Sequence, residues 1–155
     1  MKFYTSYFYT IRFFMPNMIP VSTAIWDPKW YHAFLGQGHA FIDKHGVMNG
    51  IRCSDLSPAG IHTTCGKDCP YTPDNCQFLK DYREKLDKID YKQFIRQTKE
   101  LADEVQAILK FEDDPIIVFM VHESPSNQCS ERRVIQEWFA SHNKHVRELR
   151  LLTWK

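Results

Sequence analysis

The chain has 155 residues, 43% of them apolar and 14% aromatic, which is enough to fill one hydrophobic core and too apolar for a disordered segment. Its formal charge is +1, from 20 basic and 19 acidic side chains, which excludes a general electrostatic grip on nucleic acid or an anionic membrane, though not a local basic patch. No apolar run approaches the roughly 18 residues of a membrane span. The opening MKFYTSYFYTIRFFMPNMIP is broken by Arg12, Pro16 and Pro20, so it does not read as an export signal, and a cytosolic protein with reduced thiols is expected.

KFYTSYF, residues 2–8, is aromatic and β-branched and predicts a first strand. IPVSTAIW, residues 19–26, predicts a second, with Pro20 near its start, where a missing amide is tolerated. WDPKWYHAF follows and sets Trp26, Trp30, Tyr31 and Phe34 among Asp27, Lys29 and His32. Rings at a strand's carboxyl end would stack a base. The spacing of Trp30 and Phe34 suits plain core packing better, which leaves Trp26 and Asp27 as the ligand-binding candidates.

The stretch 35–75 is irregular, and a loop of that length in a compact domain is either functional or tied down. CSDLSPAGIHTTCGKDCPYTPDNC brings Cys53, Cys65, Cys69 and Cys76 close together in sequence, with His62 among them. Three thiolates spaced C-x3-C-x6-C, with one more upstream, would close a four-ligand sphere around zinc or an iron–sulfur cluster and staple the loop. Reduced buried thiols and disulfides are the other readings of this spacing.

Asp74 with Gln77, and Asp90 with Gln93, each read as a capping box that opens a helix. The first helix would bury Phe78, Leu79, Tyr82 and Leu86. The second would bury Tyr91, Phe94, Ile95, Leu101, Val105 and Ile108. PIIVFMVHE, residues 115–123, is apolar without alternation, the pattern of a parallel strand covered on both faces. Val134, Ile135, Trp138 and Phe139 mark the core face of a third helix, and HVRELRLL, residues 145–152, a last strand nearer an edge. Strands alternating with helices predict one α/β domain over 1–155, a mostly parallel sheet flanked by helices, with a long cysteine-bearing loop.

VHESPSNQCSERRVIQEWF, residues 121–139, runs from that buried strand into the third helix. Ligands in parallel sheets sit at the carboxyl ends of strands. A helix starting near Asn127 or Ser130 would point unpaired N–H groups outward and, with its dipole, suit phosphate or carboxylate. In this scheme Cys129 would be a thiolate nucleophile, Arg132 or Arg133 an oxyanion clamp, and His122 a general base oriented by Glu123. The plainer reading makes Asn127 and Ser130 caps, Glu131 and Arg132 solvated first-turn residues, and Cys129 a buried filler.

Three stretches resemble the family called domain of unknown function 488: the opening KFYTSYFYTIRFFMPNMIPVSTA, the segment DPKWY, and FMVHESPSNQCSERRVIQEWFASHNKHVREL. The resemblance implies an α/β fold with a site at the 121–133 turn, and a bacterial or phage cytosolic protein. Many members carry cysteine–histidine–arginine at that turn, whereas here Cys129 is followed by Ser130, Glu131 and Arg132.

The leading expectation is therefore a protein that binds an anionic small molecule, a nucleotide or modified base, at residues 121–133. Catalysis would be hydrolysis or group transfer, with Cys129, His122 and Glu123 reacting and Trp26, Asp27, Asn127, Ser130 and Arg132 binding. The alternative is a non-enzymatic, metal-stapled module that binds protein or nucleic acid, with metal on Cys53, Cys65, Cys69 and Cys76. Neither involves a membrane.

Overall fold

The computed structural model describes residues 1–32, 39–61, 72–127 and 129–151. Five strands form one parallel sheet: β1 (Lys2–Tyr7), β2 (Met18–Ser22), β5 (Ile51–Arg52), β6 (Ile116–Val121) and β7 (Arg147–Glu148), in the order β5-β2-β6-β1-β7. The α-helices are α1 (Gln77–Asp87), α2 (Tyr91–Leu109) and α3 (Glu131–Ser141). Between β2 and β5 a short antiparallel pair, β3 (Phe41–Ile42) and β4 (Met48–Asn49), stands apart from the main sheet. The expected α/β fold with a parallel sheet and flanking helices is present, and the stretch that reads as an irregular loop contributes β3, β4 and β5.

The central strand shows why its sequence lacks alternation. Ile117, Phe119 and Val121 of β6 join Phe3, Ile19 and Val21 in a core that also takes Leu79, Tyr82 and Leu86 of α1, Phe94, Ala102 and Val105 of α2, and Val134, Ile135, Trp138 and Phe139 of α3. Val118 and Met120 point the other way, into a second cluster with Phe8, Ile11, Phe14, Tyr31, Val47 and Leu149. Side chains alternate across a strand, so β6 must be apolar at every position to serve both layers. Each large side chain fully buried there contributes roughly 1.5–3 kcal/mol. All three α-helices cover one face; a 3-10 turn over Phe8–Phe13 and the segment after β2 cover the other.

Several boundaries differ from those expected. β2 ends at Ser22, after which Thr23 bonds back to the Met120 carbonyl through both its N–H and its hydroxyl. Pro20 is tolerated inside β2 because β5 joins only from Val21 onward, and the Pro20 carbonyl instead accepts the Tyr31 hydroxyl at 3.0 Å. Asp90 caps α2 as read, accepting from the Gln93 N–H at 3.2 Å. Asp74 does not cap α1: Pro73–Asn75 form a 3-10 turn, and Cys76 takes the N-cap position without a side-chain capping bond. In α2, Ile108 faces solvent while Thr98 and Ala102 line the buried face. Tyr31 is buried and Trp30 half-exposed, the reverse of the core assignment given to Trp30; Phe34 lies outside the described residues.

Gly50 links the small antiparallel pair to β5. Its φ is +94°, and a Cβ there would lie 2.8 Å from the His39 carbonyl oxygen. Gly50→Ala is expected to destabilise the fold by about 1–3 kcal/mol in urea unfolding, from the strained φ and the backbone clash. An unchanged midpoint would show that residues 39–40 move aside at no cost.

Candidate functional site

The strands run parallel, so their carboxyl ends share one edge of the sheet, and the polar side chains gather there. His122 and Glu123 leave β6 in opposite directions. His122 turns to the aromatic side, its ring 5.0 Å from Phe8 and its Nε2 bonded to the Trp26 carbonyl. A carbonyl only accepts, so this Nε2 carries the proton. Glu123 turns toward α3, where its Oε2 accepts from the Ser130 hydroxyl at 3.2 Å. The two residues therefore do not form the base-and-orienter pair expected of them.

At the start of α3, Ser130 caps the helix, with its hydroxyl 3.3 Å from the Arg132 N–H. Asn127 accepts from the Cys129 N–H at 2.9 Å in a local turn, and Cys129 is half-buried against the helical core. Glu131 is not the solvated first-turn residue that its position suggests. It is half-buried, and its carboxyl stands beside that of Glu123. Burial, followed by the charge of Glu123, pushes the Glu131 carboxyl up to about 8. Near neutral pH Glu131 is thus held largely protonated beside Glu123. Carboxylates drawn from the chain itself now stand where the helix N-terminus would receive an outside anion.

Arg132 is also not a free clamp. Its side chain is 7% exposed, its Nη2 donates to the Glu123 carbonyl, and its Nε lies 3.0 Å from Glu148 Oε1. Glu148 Oε1 accepts from Thr5 at 2.8 Å, and Gln136 donates to the same hydroxyl at 2.7 Å. The Nε contact with Glu148 is a charge contact rather than an aligned hydrogen bond, and Arg132 Nη1 and Glu148 Oε2 are buried with no hydrogen-bond partner. Asp27, expected in a pocket, is buried against Arg52 at 2.9 Å and accepts from the Ser22 hydroxyl. Trp26 beside it is exposed.

The structure therefore gathers Glu123, Ser130 and Arg132 around Glu131, sets His122 and Trp26 on the other side of the β6 end, and withdraws Asp27 into an ion pair. Sequence reasoning misses Glu131 because its partner Glu123 lies back across a turn, where no helical or strand period links them. Its place directly after a Ser N-cap is the available signal.

Of the proposed metal ligands, Cys65 and Cys69, with His62, lie outside the described residues. Cys76 is buried in the helical core, and burial pushes the Cys53 thiol up to about 11. A protonated thiol is a poor ligand until a cation displaces the proton. Among the described residues no group of three His, Cys, Asp or Glu side chains is placed to hold a metal ion. Among the described residues, two concavities lie beside the turn: one of about 200 Å³ is lined by Arg52, Cys53, Asp55, Phe94 and Thr98, and one of about 280 Å³ by Arg83, Arg133 and Glu137. Among the described residues no helix is long and apolar enough to cross a membrane.

Compared with known proteins, the chain matches no family model, no curated protein and no solved structure.

Proposed function

We propose that this chain is a cytosolic protein that binds an anionic small molecule across the carboxyl edge of β6 and acts on it as a hydrolase or transferase. The observation that carries this reading is the juxtaposition of Glu123 and Glu131 at the carboxyl end of β6, where burial and the charge of Glu123 push the Glu131 carboxyl up to about 8. A carboxyl held protonated next to a second carboxyl offers an acid and a base in one site. Glu131 would protonate the leaving group while Glu123 takes the proton of the attacking water or alcohol, which suits phosphate, glycosidic and acyl centres. Ser130 fixes the Glu123 carboxyl, and Arg132 holds the Glu123 backbone, so the base is positioned from both sides.

The test is turnover of chromogenic phosphate, glycoside and acyl substrates between pH 5 and 9, with Glu131→Gln and Glu123→Gln as variants. Either substitution is expected to lower kcat by about 10²–10⁴-fold on whichever class is turned over. Turnover that survives both substitutions, or none on all three classes, removes the reading.

A further inference from the structure

Arg132 and Glu148 are placed to saturate each other, and they do not. A guanidinium and a carboxylate that meet in the interior frequently form two parallel hydrogen bonds. Here only Nε approaches, 3.0 Å from Oε1, while Nη2 turns to the Glu123 carbonyl. Arg132 Nη1 and Glu148 Oε2 are left buried with no hydrogen-bond partner. Unpaired buried polar atoms are costly, so the surroundings enforce this direction of the guanidinium.

Glu148 is held by neighbouring elements. The pairing of β7 with β1 sets Thr5 opposite Glu148, and the Thr5 hydroxyl donates to Glu148 Oε1 at 2.8 Å. Gln136 of α3 donates to that hydroxyl at 2.7 Å. Burial raises the Glu148 carboxyl, while the charge of Arg132 and the Thr5 hydroxyl pull it back toward the ionised form. Arg132 directly follows Glu131 and bonds the backbone of Glu123, yet among the described residues its ion pair is with Glu148 alone. Glu131 is also faced by Glu123 beyond the end of β6 and by Tyr82 of α1. Burial, and then the charges of Glu131, Cys53 and Glu123, keep the Tyr82 phenol un-ionised. An unanchored guanidinium in these surroundings would settle on a carboxylate of the pair, ionise Glu131 and remove the acid.

We propose that Glu148 is a positioning residue of the Glu123–Glu131 pair: it holds Arg132 by Nε, so that the guanidinium stays on the Glu123 backbone and off both carboxyls. Glu148 acts on the pair through Arg132, and Thr5 and Gln136 fix Glu148 in turn. The consequence for catalysis rests on the acid–base reading, in which Glu131 must stay protonated to act as the acid.

The test is a pH titration of the Glu131 carboxyl carbon by NMR, in protein labelled with carbon-13 glutamate. The signal is assigned as the one that Glu131→Gln removes. Glu148→Gln is expected to lower its midpoint by about 1–3 pH units, the effect of an opposite charge brought to a carboxyl. Removing Arg132 as well, in Arg132→Met with Glu148→Gln, should return the midpoint to the parent value or above it. Thr5→Val should give a smaller fall in the same direction, because it loosens Glu148 and changes no charge. A role confined to stability predicts none of these movements. A midpoint unmoved by Glu148→Gln overturns the proposal. So does a fall that persists in the double variant, which would assign the effect to the charge of Glu148 itself. Far-UV circular dichroism checks folding, and if Glu148→Gln does not fold, an unmoved midpoint in Thr5→Val overturns the proposal instead. If the midpoint falls as described while Glu131→Gln leaves turnover intact, the acid–base reading fails alone. If Glu131→Gln abolishes turnover and Glu148→Gln leaves the midpoint in place, the present inference fails alone.

Discussion

Replacing Arg132 with methionine is expected to cost about 3–5 kcal/mol of folding stability, more than removing a surface charge. The guanidinium is 7% exposed and its partner Glu148 19% exposed, so neither charge is well solvated without the other. Burial already raises the Glu148 carboxyl, while the charge of Arg132 and the Thr5 hydroxyl pull it back. Without Arg132, Glu148 must either stay charged in a poor solvent or take up a proton, and the Glu123 carbonyl loses its donor. The double variant Arg132→Met with Glu148→Gln is expected to recover half or more of the loss, because it removes the stranded charge and keeps an acceptor for Thr5. Urea unfolding of the four proteins measures the coupling. A loss below about 1 kcal/mol in the single variant would mean that water reaches the pair.

Thermal stability is expected to fall as pH rises from about 5 to about 8, and Glu131→Gln is expected to remove most of that fall. Burial and Glu123 raise the Glu131 carboxyl from 4.5 to about 8 in the folded chain, whereas the unfolded chain releases its proton near the ordinary value. Between those values the folded state holds more protons, so the stabilisation is fully present below the lower value and lost as pH climbs through the upper one. The size is on the order of 2–4 kcal/mol, given 1.36 kcal/mol for each pH unit and a discount for the part of Glu131 that water reaches. Glu148, also raised, adds a smaller slope of the same sign that the variant retains. The introduced glutamine would keep a donor for the Glu123 carboxylate but has nothing to ionise. Melting temperatures that track each other in the two proteins across this window would show that Glu131 titrates normally, and the acid of the pair would be lost.

The parts of the fold legible in the sequence are those set by local pattern. The unbroken apolar run of β6 announces two covered faces, and Asp90 with Gln93 announces the start of α2. Asp74 with Gln77 carries the same cap spelling and fails, because Pro73 starts a 3-10 turn that places Cys76 at the cap instead. The location of the candidate site is legible in the same way, as a polar strand-to-helix turn. Its wiring is not. Arg132 meets Glu148 through the pairing of β7 with β1, and Asp27 meets Arg52 through the pairing of β5 with β2. Such partners are chosen by strand order, which no local period records. Glu131 turns toward Glu123, whose carboxyl also accepts from Ser130, so its place depends on residues on both sides of the turn.

The strand order also constrains when the molecule can take shape. β6 lies between β1 and β2, and its register sets Lys2 beside Ile116 and Met18 beside the same residue. During vectorial synthesis β1 and β2 therefore wait for a strand made late, with α1 and α2 already exposed and lacking the apolar surface they will cover. A chain whose middle strand arrives near the end folds in one late step, and its long-range closure makes that step slow. Until then the N-terminal aromatics lie open, the condition in which a nascent protein depends most on chaperones.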